Sequence, residues 1–305
     1  MHAAIDVGSN TIRLVIGQVC HDAVMPIRYV RHVTRLAGNF HPRRGLSRNS
    51  MNNALAALQD LAAIIEKAEV EKVRVVGTEA LRRAPNADEF IALVNEHTGL
   101  RLHIIDGMEE ARLSRAGMYA ALDPTPERCL MFDIGGGSTE FILCEKEKVL
   151  FQKSYPLGVV ELCEKHPQES QQHKRIFSTL DAVAEDMKQA GTLDTALHLK
   201  TVLVGTAGTV TTLAAMKMEM TVYDGLLVNN QVLNESELRI LSQRLAPLSS
   251  DQREELPGVE KGRGDLIIPG LRIVLGILKH FDKKNMKVSD FGLLEGLLLD
   301  MAANS

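Results

Sequence analysis

Ile5-Asp6-Val7-Gly8-Ser9-Asn10-Thr11 and Phe132-Asp133-Ile134-Gly135-Gly136-Gly137-Ser138-Thr139 share one pattern. In each, an apolar run ends on an aspartate, passes through a turn of small residues, and leads into a second β-rich run. Ala3–Val7 and Ile12–Val19 read as strands around the first turn, and Cys129–Ile134 and Phe141–Cys144 as strands around the second. The two aspartates lie 127 residues apart. A repeat at that spacing implies two copies of one α/β unit facing each other.

Outward from these turns, strands and helices alternate. Ser47 to Ala68 reads as a helix, with Ser47 as N-cap and Leu55, Leu58, Leu61, Ala62 and Ile65 on one face. Val73–Val76 and Leu102–Ile105 read as strands, and Asn86 to His97, closed by Gly99, as a helix. Glu109 to Leu122 is a further helix, and Asp123-Pro124-Thr125-Pro126 breaks the pattern. Beyond that break, Val149–Tyr155, Thr201–Val204 and Val288–Phe291 read as strands. Helices are expected near Val159–His166, Lys174–Ala190, Val210–Met218, Glu235–Leu245, Asp265–Phe281 and Leu293–Met301. This order predicts α/β architecture with substantially parallel sheets.

Composition narrows the function. The chain has 305 residues, with 35 basic and 39 acidic side chains and a net charge of −4. That balance argues against general nucleic-acid binding. No apolar run approaches the roughly 18 residues of a membrane span, and Met1 to Asp6 carry no basic leader. Cys20, Cys129, Cys144 and Cys163 form no C-x-x-C pair and read as reduced thiols of a cytoplasmic protein. The charge is uneven. Arg28, Arg31, Arg35, Arg43, Arg44 and Arg48 fall in one stretch free of Asp and Glu. Such a stretch is either a solvated basic loop or a patch for a small polyanion, since guanidinium forks suit phosphate oxygens.

Three turns could cradle phosphate through converging backbone N–H groups: Gly8-Ser9-Asn10, Gly135-Gly136-Gly137-Ser138 and Gly205-Thr206-Ala207-Gly208-Thr209. The third also opens a helix. Each alone reads more readily as a tight turn; three strand-linked turns, two of them similar, together point to a phosphate site. Asp133 and Glu140 could meet across a hairpin and hold Mg²⁺, which takes one or two carboxylates and keeps several waters; otherwise Asp133 simply caps its turn. Other signatures fail. No Gly-Lys-Ser or Gly-Lys-Thr occurs, G-x-G-x-x-G is not completed and no G-x-S-x-G elbow is present. His21-Asp22 is the one His-Asp pair, and no histidine spacing around it completes a metal site.

Six ordered blocks resemble the exopolyphosphatase/guanosine pentaphosphate phosphatase (Ppx/GppA) family of the actin, Hsp70 and sugar-kinase superfamily. They are the two aspartate turns, Gly77-Thr78-Glu79-Ala80-Leu81-Arg82, Asp106-Gly107-Met108-Glu109-Glu110-Ala111-Arg112, Gly205-Thr206-Ala207-Gly208-Thr209 and Arg263-Gly264-Asp265-Leu266-Ile267-Ile268-Pro269-Gly270. The resemblance implies two actin-like (ribonuclease H-like) domains with an active-site cleft between them. The expected domains are 1–122, joined by the C-terminal helix 291–305, and 123–290. It implies Mg²⁺-dependent hydrolysis of the terminal phosphoanhydride of inorganic polyphosphate, or of guanosine pentaphosphate (pppGpp). Glu110 matches the family's general base and Arg82 an arginine near the phosphate. Gly8, Ser9, Asn10, Gly135, Gly136, Gly137, Ser138, Gly208 and Thr209 match the phosphate-binding turns, and Asp133 and Glu140 the metal carboxylates. Arg35, Arg43, Arg44 and Arg263 are candidate polyanion contacts. A homodimer is common in the family.

Two positions depart from the family pattern. Leu294 stands where an arginine often precedes Glu-Gly, and Val228-Asn229-Asn230 replaces a histidine-glycine stretch. A non-catalytic sensor of a phosphorylated nucleotide, and a sugar or acetate kinase, are the readings from other classes. With no room for further C-terminal domains, the chain is expected to degrade long polyphosphate less processively.

Overall fold

The structure, a computed structural model, describes every residue except Asp22, Asn39, Glu147 and Ser305. The Asp22 half of the His21-Asp22 pair therefore lies outside the described residues. The chain divides into two units, Met1–Ala120 with the segment from Phe291 onward, and Ala121–Asp290.

In the first unit β1 (His2–Val7), β2 (Thr11–Cys20) and β3 (Ala23–Val33) form an antiparallel meander. β4 (Lys72–Gly77) adds parallel to β1, and β5 (Leu102–Ile104) parallel to β4, giving the order β3-β2-β1-β4-β5. Alternation along β1 and β2 sends Ala3, Ile5, Ile12, Leu14 and Ile16 to one face. There they meet Leu58 and Leu61 of α1 (Arg48–Lys67) and Phe90 and Val94 of α3 (Ala87–Thr98). The predicted caps hold: the Ser47 hydroxyl accepts from the Ser50 N–H, and Gly99 ends α3 in the left-handed region. Between β4 and α3 lies a single short helix, α2 (Glu79–Arg83).

The other face is covered by α4 (Gly107–Ala120) and α13 (Leu293–Ala303). They cross where a Cβ on Gly117 would stand 1.9 Å from the Gly292 carbonyl oxygen, and one on Gly296 1.9 Å from that of Leu113. Only glycine permits so close a backbone approach.

The second unit repeats the plan. β6 (Arg128–Ile134), β7 (Thr139–Glu145) and β8 (Lys148–Tyr155) are antiparallel, and β9 (Val202–Thr206) and β11 (Asn285–Val288) continue in parallel. A short β10 (Val232–Asn234) closes the sheet antiparallel to β11, giving β10-β11-β9-β6-β7-β8. Apart from β10 this is the order of the first sheet, so Asp6 and Asp133 are the penultimate residues of equivalent strands.

Helices α5 (Val159–Lys165), α6 (Glu169–Gln189), α7 (Leu193–Leu197), α8 (Ala207–Lys217), α9 (Gly225–Val228), α10 (Glu235–Leu245), α11 (Ser250–Glu254) and α12 (Ile267–His280) complete the unit. Its core centres on the rings of Phe132, Phe141 and Phe281, with Leu180, Leu271 and Ile277 around them. The expected last strand is shifted: Asn285–Val288 pairs, whereas Phe291 begins the return to the first unit. Met286 and Val288 are the buried positions of that strand, and polar Asn285 and Lys287 between them hid its start. Helix α6 begins at Glu169 rather than Lys174, because a capping box between Gln168 and Gln171 starts it earlier.

Candidate active site

In the first unit the site grows from the start of α4. The Asp106 carboxylate accepts from the Glu109 N–H at 2.8 Å, and the Asp106 carbonyl from the Glu110 N–H at 3.0 Å. The helix is thereby capped with two glutamates in its first turn, where the helix dipole favours acids. Their side chains then diverge. Glu109 lies in an ion-pair network with Arg112 (2.7 Å) and Arg74 (3.3 Å), both of which also hold Asp300 of α13. Its hydrogen bond with Arg112 pulls its pKa down.

Glu110 instead turns toward α2, where Arg82 Nη1 donates to it at 2.6 Å and to the Ile105 carbonyl at 2.9 Å. Burial pushes the Glu110 carboxyl above its ordinary range. Arg82 opposes the rise, and the charges of Asp6 and Glu79 add to it. The two neighbouring carboxyls thus differ in environment: Glu109 is anchored in ion pairs with its pKa lowered, and Glu110 is half-buried with its pKa raised.

The first turn lies in the same unit. The Gly8 N–H donates to the Thr11 carbonyl at 3.0 Å, and the Asn10 carbonyl accepts from the N–H groups of Thr34 and Arg35. Arg35 is thus held beside the turn, in a left-handed conformation with φ of 48°. Arg43 and Arg44 sit in an exposed turn closed by His41 and Gly45. That turn is tied to Asn86, just past α2, by two hydrogen bonds with Leu46. Asp6 is buried. Its Oδ2 accepts from Arg13 at 2.6 Å, and its Oδ1 has no hydrogen-bond partner.

In the second unit the register sets Asp133 directly opposite Glu140. Side chains so paired lie on one face of the sheet. The equivalent position in the first unit, opposite Asp6, is Arg13. One copy therefore neutralises its aspartate with a guanidinium, while the other doubles the carboxylates. The Gly135 and Gly136 carbonyls accept from N–H groups of Val159, Val160 and Glu161 at the start of α5. This fixes the turn with Gly136 and Gly137 exposed.

The third turn is the strained one. Ala207 has φ of +64°, a conformation costly for a residue with a side chain and found where function requires it. Gly208 follows, and a Cβ there would lie 2.1 Å from Arg263 Nη1. Arg263 is held by Glu260 at 2.7 Å and is thereby packed over the start of α8. On α12, a Cβ on Gly270 would meet the Thr209 methyl at 2.4 Å. The Arg263–Gly270 block thus packs against the Gly205–Thr209 turn.

The two departures have structural roles. Leu294 is buried in the core. The Asn230 side chain binds the Ala121 carbonyl and the Asp123 N–H, and Asn229 accepts from the Asp290 N–H at 2.6 Å.

The profile of the Ppx/GppA phosphatase family matches residues 15–305. The chain belongs to the Ppx/GppA phosphatase family. Exopolyphosphatase 2 of Mycobacterium tuberculosis is 30% identical over 98% of each chain. The crystal structure of the Aquifex aeolicus Ppx/GppA family member superposes with a TM-score of 0.84 at 30% identity, covering 99% of this chain and 97% of that one. An exopolyphosphatase from Cytophaga hutchinsonii shares the fold at 22% identity, with a TM-score of 0.80 over 99% and 98%. The two-domain actin-like α/β fold expected of a Ppx/GppA member is the fold of this chain.

Arg13, the unpartnered Oδ1 of Asp6 and the strain at Ala207 went unread in the sequence. The first two carried a signal, because the repeat aligns Arg13 with Glu140. The third carried none.

Proposed function

We propose that this chain is an exopolyphosphatase: it hydrolyses the terminal phosphoanhydride of inorganic polyphosphate and releases orthophosphate. The observation that carries the reading is the contrast at the start of α4, where Glu109 is locked in ion pairs and Glu110 is half-buried with a raised pKa beside Arg82. A family relative named exopolyphosphatase over its full length supports the substrate class.

In the mechanism a water attacks the terminal phosphorus, and Glu110 accepts its proton. The bond from that phosphorus to the bridging oxygen breaks, and the shortened chain leaves on that oxygen. Arg82 and the N–H groups of the Gly8–Asn10 and Gly135–Ser138 turns offset charge on the transferring group, which is most of what phosphoryl transfer needs. Arg263 and the start of α8 bind phosphate oxygens, and Arg35, Arg43 and Arg44 carry the remaining chain. Asp133 and Glu140 suit a Mg²⁺ ion that keeps waters and phosphate oxygens as its other ligands. Among the described residues no larger cluster of His, Cys, Asp or Glu side chains could hold a metal. When bound, the ion would neutralise phosphate charge. Cysteines held outside any disulfide among the described residues fit a cytoplasmic setting.

Orthophosphate release from long and short polyphosphate, pppGpp and ATP, each with and without Mg²⁺, tests the reading. Polyphosphate is expected to give the highest kcat/KM. Preference for pppGpp would move the chain to the other activity of its family, and binding without release would make it a sensor. Glu110→Gln is expected to lower kcat by about 10²–10⁴-fold, the usual contribution of a positioned base, with folding unchanged.

A further inference from the structure

A cavity of about 590 Å³ opens in the second unit among α5, α6, α10, α11 and α12. None of the residues assigned to phosphate, metal or proton transfer lines it. Two arginines do. Arg253, from α11, is fixed by donating to the Leu245 carbonyl at 3.1 Å and the Gly264 carbonyl at 3.2 Å. Among the described residues no carboxylate forms an ion pair with it. Burial and the charge of Arg272 lower its pKa, while the charge of Asp265 on the rim opposes them.

Arg272, from α12, donates to the buried Gln172 amide oxygen at 2.7 Å and pairs with Glu169 at 2.8 Å. Glu169 is 78% exposed, so that pair is weak and displaceable. Arg272 also borders an adjoining cavity of about 250 Å³, where Lys279 stands over the Phe177 ring. Asp265 is on the exposed rim.

Two fixed guanidinium forks, one with no carboxylate ion pair among the described residues and one holding a loose pair, match a group with several negative oxygens better than a single carboxylate. The volume lies within the range of small-molecule sites and exceeds what one orthophosphate fills. We propose that this cavity is a second anion site, which binds a di- or triphosphate group, free or carried by a nucleoside, apart from the catalytic residues. The site does not depend on the hydrolytic reading, and its test does not use turnover.

Cys163 supplies a local probe. It lines the cavity, donates its thiol to the Asp265 carbonyl and is partly exposed, while Cys20 is exposed elsewhere and Cys129 and Cys144 are buried. The rate of iodoacetamide alkylation at Cys163 and Cys20 is read by peptide mass spectrometry on the Glu110→Gln protein. Pyrophosphate, ADP or matched chloride is present. Pyrophosphate is expected to slow Cys163 several-fold and leave Cys20 unchanged. Equal protection by ADP assigns the site to the phosphate group itself, and protection by ADP with none by pyrophosphate assigns it to a nucleoside-linked one. Arg253→Gln with Arg272→Gln should abolish protection at an unchanged melting temperature. If that pair fails to fold, Arg272→Gln alone should weaken protection. Unaltered alkylation with both phosphates, equal slowing by chloride, or protection that survives the substitutions overturns the proposal.

Discussion

Burial and one hydrogen bond oppose each other at Glu110. Burial raises its pKa and Arg82 holds the rise in check. A base must be deprotonated to work, so activity should fall on the acid side through a pKa above that of an ordinary glutamate. Replacing Arg82 with methionine removes the opposing charge while leaving Asp6 and Glu79 in place. The acid limb of kcat should then move to higher pH, and kcat on its plateau should drop by about 10²-fold, as when one stabilising donor is lost. A pH–rate profile of Arg82→Met reads both. An acid limb that stayed put or moved down would show that Arg82 does not tune the base.

At the scale of elements, Glu110 is placed by a helix crossing. Helix α4 can lie against α13 only because Gly117 and Gly296 remove side chains at the contact. A Cβ at either position meets a carbonyl oxygen of the facing helix, which the backbone must move to relieve. Gly296→Ala should cost about 1–3 kcal/mol by overpacking, visible in denaturant titration. It should also lower kcat, because the displaced helix carries Glu110. Unchanged stability and turnover would mean that the crossing is looser than its geometry indicates.

The same elements show what could be read from sequence. Helix α1 was legible because cap and apolar face agree, and the β1–β2 and β6–β7 hairpins because their small-residue turns punctuate apolar runs. Strand β3 was not, because it is an edge strand whose Arg28 and Arg31 are exposed; charge on an edge discourages pairing with other chains and erases the apolar alternation. Helix α2 is too short to show a period. The split between Glu109 and Glu110 was invisible, because it depends on Arg74, Arg82 and Asp300, brought in from β4, α2 and α13.

Across the whole chain, the duplication is informative where its copies differ. Both sheets carry an aspartate next to the end of an equivalent strand, but Arg13 faces Asp6 and Glu140 faces Asp133. The first pair is an internal ion pair, and the second sets two acids opposite each other, a donor pair of the kind that holds Mg²⁺. Divalent-cation affinity should therefore reside in the second unit. A ligand that binds only the folded state raises the melting temperature with its concentration. Mg²⁺ should raise that of the native protein, and Glu140→Gln or Asp133→Asn should shift the required concentration upward at least about tenfold, as for lost ligand support. Arg13→Gln leaves Asp6 buried without its partner and should cost about 1–3 kcal/mol, yet the remaining protein should still respond to Mg²⁺ at native concentrations. If Arg13→Gln abolished the Mg²⁺ response while Glu140→Gln retained it, the assignment of the two copies would be reversed.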